Sequence, residues 1–197
     1  MGVAVYRAAR GMDNARMKRH IALLRGINVG KAKRVPMADL RALMEGLAHA
    51  NVRTLLNSGN AVFDAKAGTP AAHAKALRAA ILDKLGVDCE VIVKTAADLE
   101  GAIAEHPLRR HANDDARLLV MFVQEASALA ELKPLEATDW APEALAVGKH
   151  AAWLWCANGI IESRVTKAAG EVVKERGTAR NWATVKKLRA LASADAG

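Results

Sequence analysis

Two short polar segments hold the residues best suited to bind a ligand. The first, residues 25–31, has the sequence RGINVGK, and the second, residues 57–60, has the sequence NSGN. Glycines at positions 26 and 30 allow positive φ and let a ligand approach the main chain, while Arg25 and Lys31 supply positive charge. These residue types suit a small anion such as a phosphate or a carboxylate, and they specify no reaction.

A third segment supplies two further candidates. Arg180 and Asn181 precede an apolar helical pattern, and a guanidinium beside free N–H groups at a helix start is a common anion site. The sequence leaves open whether these two residues reach the other segments. A simpler alternative is that the glycines only turn the chain, Asn28 caps a turn and Arg25 forms a local salt bridge. The candidate ligand-binding residues are Arg25, Gly26, Asn28, Gly30, Lys31, Asn57, Ser58, Asn60, Arg180 and Asn181.

Other chemistries have less support. Residues 26–31 are not a P-loop, because only three residues separate the glycines and Ala32 follows the lysine. Ser58 is the one hydroxyl in the candidate site, and no nucleophile motif surrounds it. His106 and His111 have no cysteine or carboxylate at metal-ligand spacing, so we predict solvated loop histidines and no metal. The sequence indicates neither a catalytic residue nor a cofactor.

The net charge of +8 is concentrated near the start of the chain. Residues 1–19 hold five basic residues against Asp13, a net of +4, so the remainder is only weakly basic. RNA-recognition sheets stack bases on aromatic residues of the first and third strands, and only Phe63 is available here. Nucleic-acid binding therefore stays an alternative, together with a structural or protein-interaction role.

Cysteine content and hydropathy bear on the compartment. Cys89 and Cys156 lie in no paired motif, which favours two buried thiols in a reducing, cytoplasmic environment. No stretch is long and apolar enough to span a membrane, and the first residues lack the apolar run of a signal peptide. We expect residues 1–18 to be a disordered basic tail or the product of a start codon assigned too early.

The apolar pattern of the first half predicts the order βαββαβ, which is the ferredoxin-like unit. The predicted elements are strand 20–25, helix 37–49, strands 52–56 and 61–63, helix 70–85 and strand 89–93. We predict an antiparallel sheet with the first strand beside the third. The loop after the first strand and the turn at 57–60 then lie at the same end of the sheet, so the two polar segments should converge on one cleft at the top of the first sheet. We expect one concave pocket there, which contains Arg25, Asn28, Lys31, Asn57, Ser58 and Asn60.

The second half predicts a related α+β unit with C-terminal helices. Thr95 caps a helix that ends before Pro107, and residues 106–115 form a polar connector. The predicted strands are 118–123, 144–147 and 151–156, with a short helix at 127–132, and Asn158-Gly159 predicts a hairpin that pairs 151–156 with a strand at 160–164. A helix then starts at Ser163 or Thr166, and the last helix spans 181–191.

These elements divide the chain into two folded halves. The predicted boundaries are tail 1–18, ferredoxin-like half 19–95, connecting helix and linker 96–115, second half 116–192 and frayed end 193–197. Trp153 and Trp155 alternate with Leu154, so both tryptophans face one side of their strand, and we predict a core position for them.

Three widely spaced segments, taken in order, resemble the signatures of the bacterial domain-of-unknown-function family numbered 1697. They are residues 22–30 (ALLRGINVG), 57–60 (NSGN) and 178–182 (TARNW), and the likeness extends from Arg19 to about Ala192. Residues 158–165 look like a further signature, although lysine and leucine are commoner at positions 164 and 165, and Lys31 replaces a frequent glycine. The resemblance implies an α+β fold with two ferredoxin-like halves, and it implies no activity.

Overall fold

The computed structural model describes residues 17–30, 33–110 and 113–194. The strands of the first half form one antiparallel sheet in the order β2-β3-β1-β4, with β1 hydrogen-bonded to β3. The predicted βαββαβ unit is confirmed. Its elements are β1 Lys18–Leu24, α1 Met37–Gly46, β2 Ala50–Leu55, β3 Asn60–Ala65, α2 Pro70–Leu85 and β4 Val91–Thr95.

The second half repeats this plan. Its sheet has the order β6-β7-β5-β8, which is the order of the first sheet shifted by four strands. A further helix, α3 or α6, follows the last strand of each half directly, so the chain contains two βαββαβα repeats. The remaining elements are α3 Ala96–Glu105, β5 Leu118–Val123, α4 Ser127–Ala130, a 3₁₀ helix Lys133–Ala137, β6 Ala144–Val147, β7 Ala152–Trp155, α5 Arg164–Val173, a 3₁₀ helix Lys174–Arg176, β8 Gly177–Asn181 and α6 Trp182–Ser193.

The hairpin predicted at Asn158-Gly159 is wrong. Gly159 closes a tight turn by donating its N–H to the carbonyl of Cys156 at 3.0 Å, but residues 160–163 form no strand. Strand β7 already has β5 on one side and β6 on the other, so it has no free edge for a further partner. The chain instead enters α5, which Ser163 caps by accepting from the N–H of Thr166.

Three apolar layers hold the two sheets and their helices together. Because neighbouring residues of a strand point to opposite faces, Leu24 packs under α1 and α2, whereas Leu23 faces the second half. The facing sides of the sheets form a shared layer with α3 and α6. Trp153 and Trp155 lie in that layer, as predicted, and the outer face of the second sheet packs against α5.

His106 is part of the shared layer rather than a solvated loop residue. Its ring stacks on Trp153 with centroids 4.5 Å apart and an interplanar angle of 9°, and it also contacts Trp182. An imidazole beside two indoles is buried because the aromatic faces exclude water, and this burial lowers the pKa of His106. His111, the other predicted loop histidine, lies outside the described residues.

Two arginines of the first sheet form hydrogen bonds with the end of the last helix. Arg19 of β1 forms a salt bridge with Asp64 at 2.9 Å and donates to the carbonyls of Ala192 and Ala194. Arg53 of β2 also donates to Ala194. Two arginines thus satisfy backbone carbonyls at the negative end of α6.

Two further sequence predictions concern the cysteines and the membrane. Cys89 and Cys156 are both buried free thiols. Among the helices within the described residues, none has the length and apolarity needed to cross a bilayer.

Candidate functional site

The loop after β1 and the turn between β2 and β3 meet at one end of the first sheet. The backbone N–H of Leu24 donates to the carbonyl of Gly59 at 2.8 Å. The side-chain amide of Asn28 donates to the carbonyl of Asn57 at 2.7 Å. The convergence expected from the topology is therefore present, and Arg180 of β8 reaches the same end of the sheet.

Asn28 is fully occupied in shaping its loop. Its φ of 56° lies in the left-handed region, which asparagine tolerates better than most residues. Its Nδ2 donates to the carbonyls of Val35 and Asn57, and its Oδ1 accepts from the N–H of Val35 at 2.9 Å. Gly26 and Gly30 also have positive φ, and both have open space where a side chain would begin.

Arg25 does not share a cavity with Asn28 and Asn57. Its Nη1 donates to the carbonyl of Gly177 at 2.6 Å, so the guanidinium is turned towards the start of β8. For the described residues, the expectation of one pocket that contains all the candidates of the first half is therefore wrong. The hydrogen bond to Gly177 in the second half holds the Arg25 side chain on the other side of the loop. Lys31 lies outside the described residues.

Arg180 is buried behind the turn at 57–60 and is only 8% exposed. Its side chain makes six hydrogen bonds that use all five of its N–H groups, and desolvation lowers its pKa to about 10. The acceptors are Asn60 Oδ1 at 2.5 Å, Thr178 Oγ1 at 2.8 Å and the carbonyls of Ala179, Leu24, Ser58 and Gly59 at 2.9, 2.7, 3.2 and 3.4 Å. No N–H of Arg180 is left for a ligand.

Three other candidates, Ser58, Asn60 and Asn181, make hydrogen bonds to other residues of the fold. Asn60 binds Arg180 through its oxygen, and its amide donates to Ser58 Oγ and to the main chain at the end of β2, both at 2.9 Å. Asn181 caps α6, because its Oδ1 accepts from the N–H of Thr184 at 3.0 Å. Arg180 thus lies at the turn at 57–60, where its buried side chain links the two halves through hydrogen bonds. Asn181 caps α6.

An open cleft remains where the loop meets α1. This α1 cleft has a volume of about 350 Å³ and is formed by Asn28, Arg34, Val35, Pro36 and Asn57. Arg34 is exposed and has neither an ion pair nor a hydrogen bond within the described part of the chain. Arg34 is not among the candidate residues predicted from the sequence, although its position two residues before Pro36, at the start of a predicted helix, is a signal that could have indicated it.

The N-terminus of α1 lies beside this cleft without a side-chain cap. Pro36, the residue before the helix, offers no side-chain acceptor, and the first N–H that is satisfied is that of Leu40, which donates to the Pro36 carbonyl at 3.0 Å. In the described residues, the N–H groups of the first three helical residues have no acceptor. They carry the positive end of the helix dipole. Asp39 stands in this first turn and partly offsets that charge.

The pocket beside Arg25 is electrostatically different. It has a volume of about 140 Å³, and its cations Arg25, Lys33 and Arg78 face carboxylates. Arg78 is already paired with Asp88 at 2.9 Å and with Glu90. Burial also raises the pKa of the Cys89 thiol in this pocket to about 11, so it is not a thiolate nucleophile at neutral pH.

Three histidines form a cluster at the opposite end of the first sheet. His49 Nε2 lies 3.1 Å from His73 Nδ1, and His20 contacts the His73 ring at a centroid distance of 5.0 Å. Desolvation lowers the pKa of each, that of His49 to about 4. In the described parts of the chain, no group of three or more His, Cys, Asp or Glu side chains could hold a metal ion.

Comparison with known proteins identifies a family and a fold. Residues 17–153 match the family model "Protein of unknown function (DUF1697)". The conserved bacterial protein SP0830 from Streptococcus pneumoniae has a similar structure, with a TM-score of 0.70 and 22% identity over 90% of this chain and all of that one. At this identity the likeness concerns the fold alone. No curated protein matches the chain.

Proposed function

Because the chain belongs to the DUF1697 family of proteins of unknown function, we propose its function from its geometry: it binds a small phosphate- or carboxylate-bearing ligand in the α1 cleft. The observation that carries this proposal is the uncapped N-terminus of α1 beside a cleft that contains Arg34, which has no ion-pair partner among the residues that the structure describes. Backbone N–H groups at a helix start and a free guanidinium are complementary to an anion. We further propose a reducing compartment, which the two free cysteines support.

The roles of the candidate residues follow from their contacts. Arg34 binds the anion directly, and Asn28 and Asn57 form the wall of the cleft. Gly26 and Gly30 shape the loop and keep its backbone accessible. Lys31, which adjoins this loop in the sequence, is proposed to add positive charge.

The buried guanidinium behind the turn contributes over a longer range. Arg180 is surrounded by carbonyl, amide and hydroxyl acceptors, and within the described ranges no carboxylate is among its hydrogen-bond partners. A buried charge without a counter-ion keeps its field, because water screens it poorly. The turn that Arg180 supports adjoins the α1 cleft through Asn57, so this field favours an anion there.

Titration with inorganic phosphate, pyrophosphate and citrate tests the proposal. We expect Arg34→Gln to weaken binding about tenfold or more, since a hydrogen bond to a charged group contributes ~1.5 to 3 kcal/mol. Asp39→Asn should strengthen binding slightly, because it removes a carboxylate from the first turn of α1. The matched control is Arg110→Gln, which removes the same charge from an exposed connector position and should leave affinity unchanged.

The competing functions give different results in the same experiments. Equal weakening by Arg34→Gln and Arg110→Gln, or no binding of any of these anions at millimolar concentration, would overturn the α1 cleft as an anion site. Tight RNA binding that falls steeply with salt and survives Arg34→Gln would favour a nucleic-acid partner instead.

A further inference from the structure

A cavity lies beside the histidine cluster, at the end of the first sheet away from the α1 cleft. This histidine cavity has a volume of about 470 Å³, within the range of small-ligand sites. His49 and His73 form part of its wall, and these residues are only 7% and 8% exposed. Five alanines, Met17 and Leu47 make most of the remaining wall apolar.

The two histidines share a single hydrogen bond. His49 Nε2 lies 3.1 Å from His73 Nδ1. Desolvation lowers the pKa of both rings, that of His49 to about 4, so both are neutral at neutral pH. A neutral imidazole has one N–H and one lone pair, so only one of the two facing nitrogens carries a proton. The pair therefore leaves one N–H and one lone pair at its two outer ends.

The main chain at 67–68 determines which end holds the lone pair. A Cβ placed on Gly68 would lie 2.9 Å from His73 Nε2, so this nitrogen faces the 67–68 segment. Burial lowers the pKa of His73, and a hydrogen bond to the backbone of Ala67 opposes that effect. A carbonyl can only accept, so His73 carries its proton at Nε2 and accepts from His49 through Nδ1.

The lone pair therefore lies at His49 Nδ1. This atom is buried and has no hydrogen-bond partner within the described parts of the chain. A buried acceptor without a donor is unfavourable, and a ligand that donates a hydrogen bond would satisfy it.

The charge of the cavity indicates which donor fits. Lys66 is the only charged residue among the described residues of the wall, apart from the two neutral histidines. No carboxylate there offsets a second positive charge, which disfavours an ammonium ligand. A carboxylate ligand has no proton to donate at neutral pH. A hydroxyl group is an uncharged donor, and the apolar wall suits a hydrocarbon body.

We propose that the histidine cavity binds a small uncharged molecule with an apolar body and one hydroxyl group, of the phenol class. The hydroxyl donates to His49 Nδ1, while the body packs against the alanines of the wall. The His49 N–H donates to His73, and the His73 N–H donates to Ala67, so the ligand completes a chain of hydrogen bonds that ends at the main chain. This site does not depend on anion binding in the α1 cleft.

NMR of the imidazole nitrogens tests the proton positions in the full chain without a ligand. At pH 7.5 we expect both His49 and His73 to carry their proton at Nε2. Phenol should then shift the Nδ1 signal of His49 towards that of a hydrogen-bonded acceptor. A proton on His49 Nδ1 in the free protein would overturn the proposal, because the cavity would then present a donor.

Phenol and anisole are matched probes for the hydroxyl group. Anisole is the methyl ether of phenol and has no proton to donate, so we expect it to bind about tenfold more weakly. His49→Phe retains an aromatic ring against Phe63 and removes the acceptor. This variant should bind phenol as weakly as anisole, and its affinity for anisole should equal that of the parent.

A pair of alanine substitutions in α2 tests the cavity itself. Ala76 is part of the wall and Ala79 is not, and both positions are exposed. Ala76→Leu retains both histidines and fills the cavity, so binding of both probes should fall at least tenfold. Ala79→Leu adds the same side chain elsewhere on the helix and should bind like the parent. Circular dichroism verifies that all three variants fold.

Three results would overturn the histidine cavity as a hydroxyl site. The first is the absence of a saturable shift with phenol at millimolar concentration. The second is equal affinity of the parent for phenol and anisole, and the third is an Ala76→Leu variant that binds phenol as the parent does.

Discussion

Arg180 donates all five of its N–H groups to neutral acceptors, and these acceptors come from both repeats. Leu24, Ser58, Gly59 and Asn60 belong to the first, whereas Thr178 and Ala179 belong to the second. The three sequence segments that suggested a ligand site thus meet around one buried guanidinium. Part of the polarity that suggests ligand binding in the sequence instead joins the two repeats.

Replacing Arg180 by methionine should therefore lower the free energy of unfolding by about 3 kcal/mol or more. The substitution leaves several buried carbonyls without a donor, and each unsatisfied group costs ~1 to 3 kcal/mol. Lys94 occupies the same position before the capping residue in the first repeat and makes one bond of 3.4 Å, to Gln124. Lys94→Met is the control, with an expected loss below about 1 kcal/mol in urea unfolding. Equal losses of unfolding free energy would show that the hydrogen bonds of Arg180 do not stabilise the fold more than those of Lys94.

The histidine cluster makes stability depend on pH. Burial holds the pKa of His49 at about 4 in the folded chain, below its ordinary value of 6.5. The unfolded chain thus binds more protons between these values, so stability is full above pH 6.5 and declines as the pH falls towards 4. His20 and His73 shift in the same direction. Asp64, which lies nearby, has a lowered pKa and titrates below this window.

Urea unfolding at pH 7.5 and pH 4.5 measures this effect. We expect the parent to lose up to about 3 kcal/mol from His49 across the window, from 1.36 kcal/mol per pKa unit. His49→Leu should lose less between the same two pH values, even if it is less stable at pH 7.5. A pH dependence identical to that of the parent would contradict the assignment to His49.

At the scale of elements, the sequence predicted most of the first repeat because its apolar spacing and turn residues agree. Strand β8 was missed for a physical reason. Its sequence GTARN is polar, and an arginine in such a segment is expected to be exposed. Arg180 is buried because the first repeat supplies hydrogen-bond acceptors for it. Long-range contacts also separate the candidate residues. Arg25 and Arg180 each donate a hydrogen bond to a residue more than 100 positions away in the sequence. The α1 cleft itself depends on Arg34, which lies in no recognisable motif.

The turn between β2 and β3 offers a test of close packing. Gly59 has a φ of 76°, and a Cβ placed there would lie 2.7 Å from Leu24 Cβ and from Ile27 Cδ1. Gly59→Ala should cost about 3 kcal/mol or more, from left-handed strain of ~1 to 2 kcal/mol and additional overpacking of ~1 to 3 kcal/mol. Gly159 also has positive φ but open space, so Gly159→Ala should cost the strain alone. Similar unfolding free energies for the two variants would contradict this account.

At the scale of the whole molecule, the shared apolar layer makes the two repeats dependent on each other. Leu23 and Val62 of the first sheet and Phe122 and Trp153 of the second all contribute to it, and each is almost completely buried. A repeat that is produced alone would expose this face to water. Large contiguous apolar surfaces of this kind lead to association or unfolding.

Separate polypeptides for residues 17–110 and 113–194 should therefore fold only when they are combined. We expect each fragment alone to give no cooperative thermal transition by circular dichroism, and the equimolar mixture to recover one. The intact chain is the reference. A cooperative transition in either isolated fragment would show that its repeat is an autonomous domain.

The arginine contacts at the end of α6 also bear on the order in which the chain can be connected. Arg19 is the second residue of β1, and it touches Ala192 and Ala194 at the other end of the described chain. A short glycine linker from residue 194 to residue 17, with new termini opened between residues 110 and 113, would give a circular permutant in which the second repeat is synthesised first. Its thermal transition should lie close to that of the parent, because permutation changes connectivity and leaves the buried contacts intact.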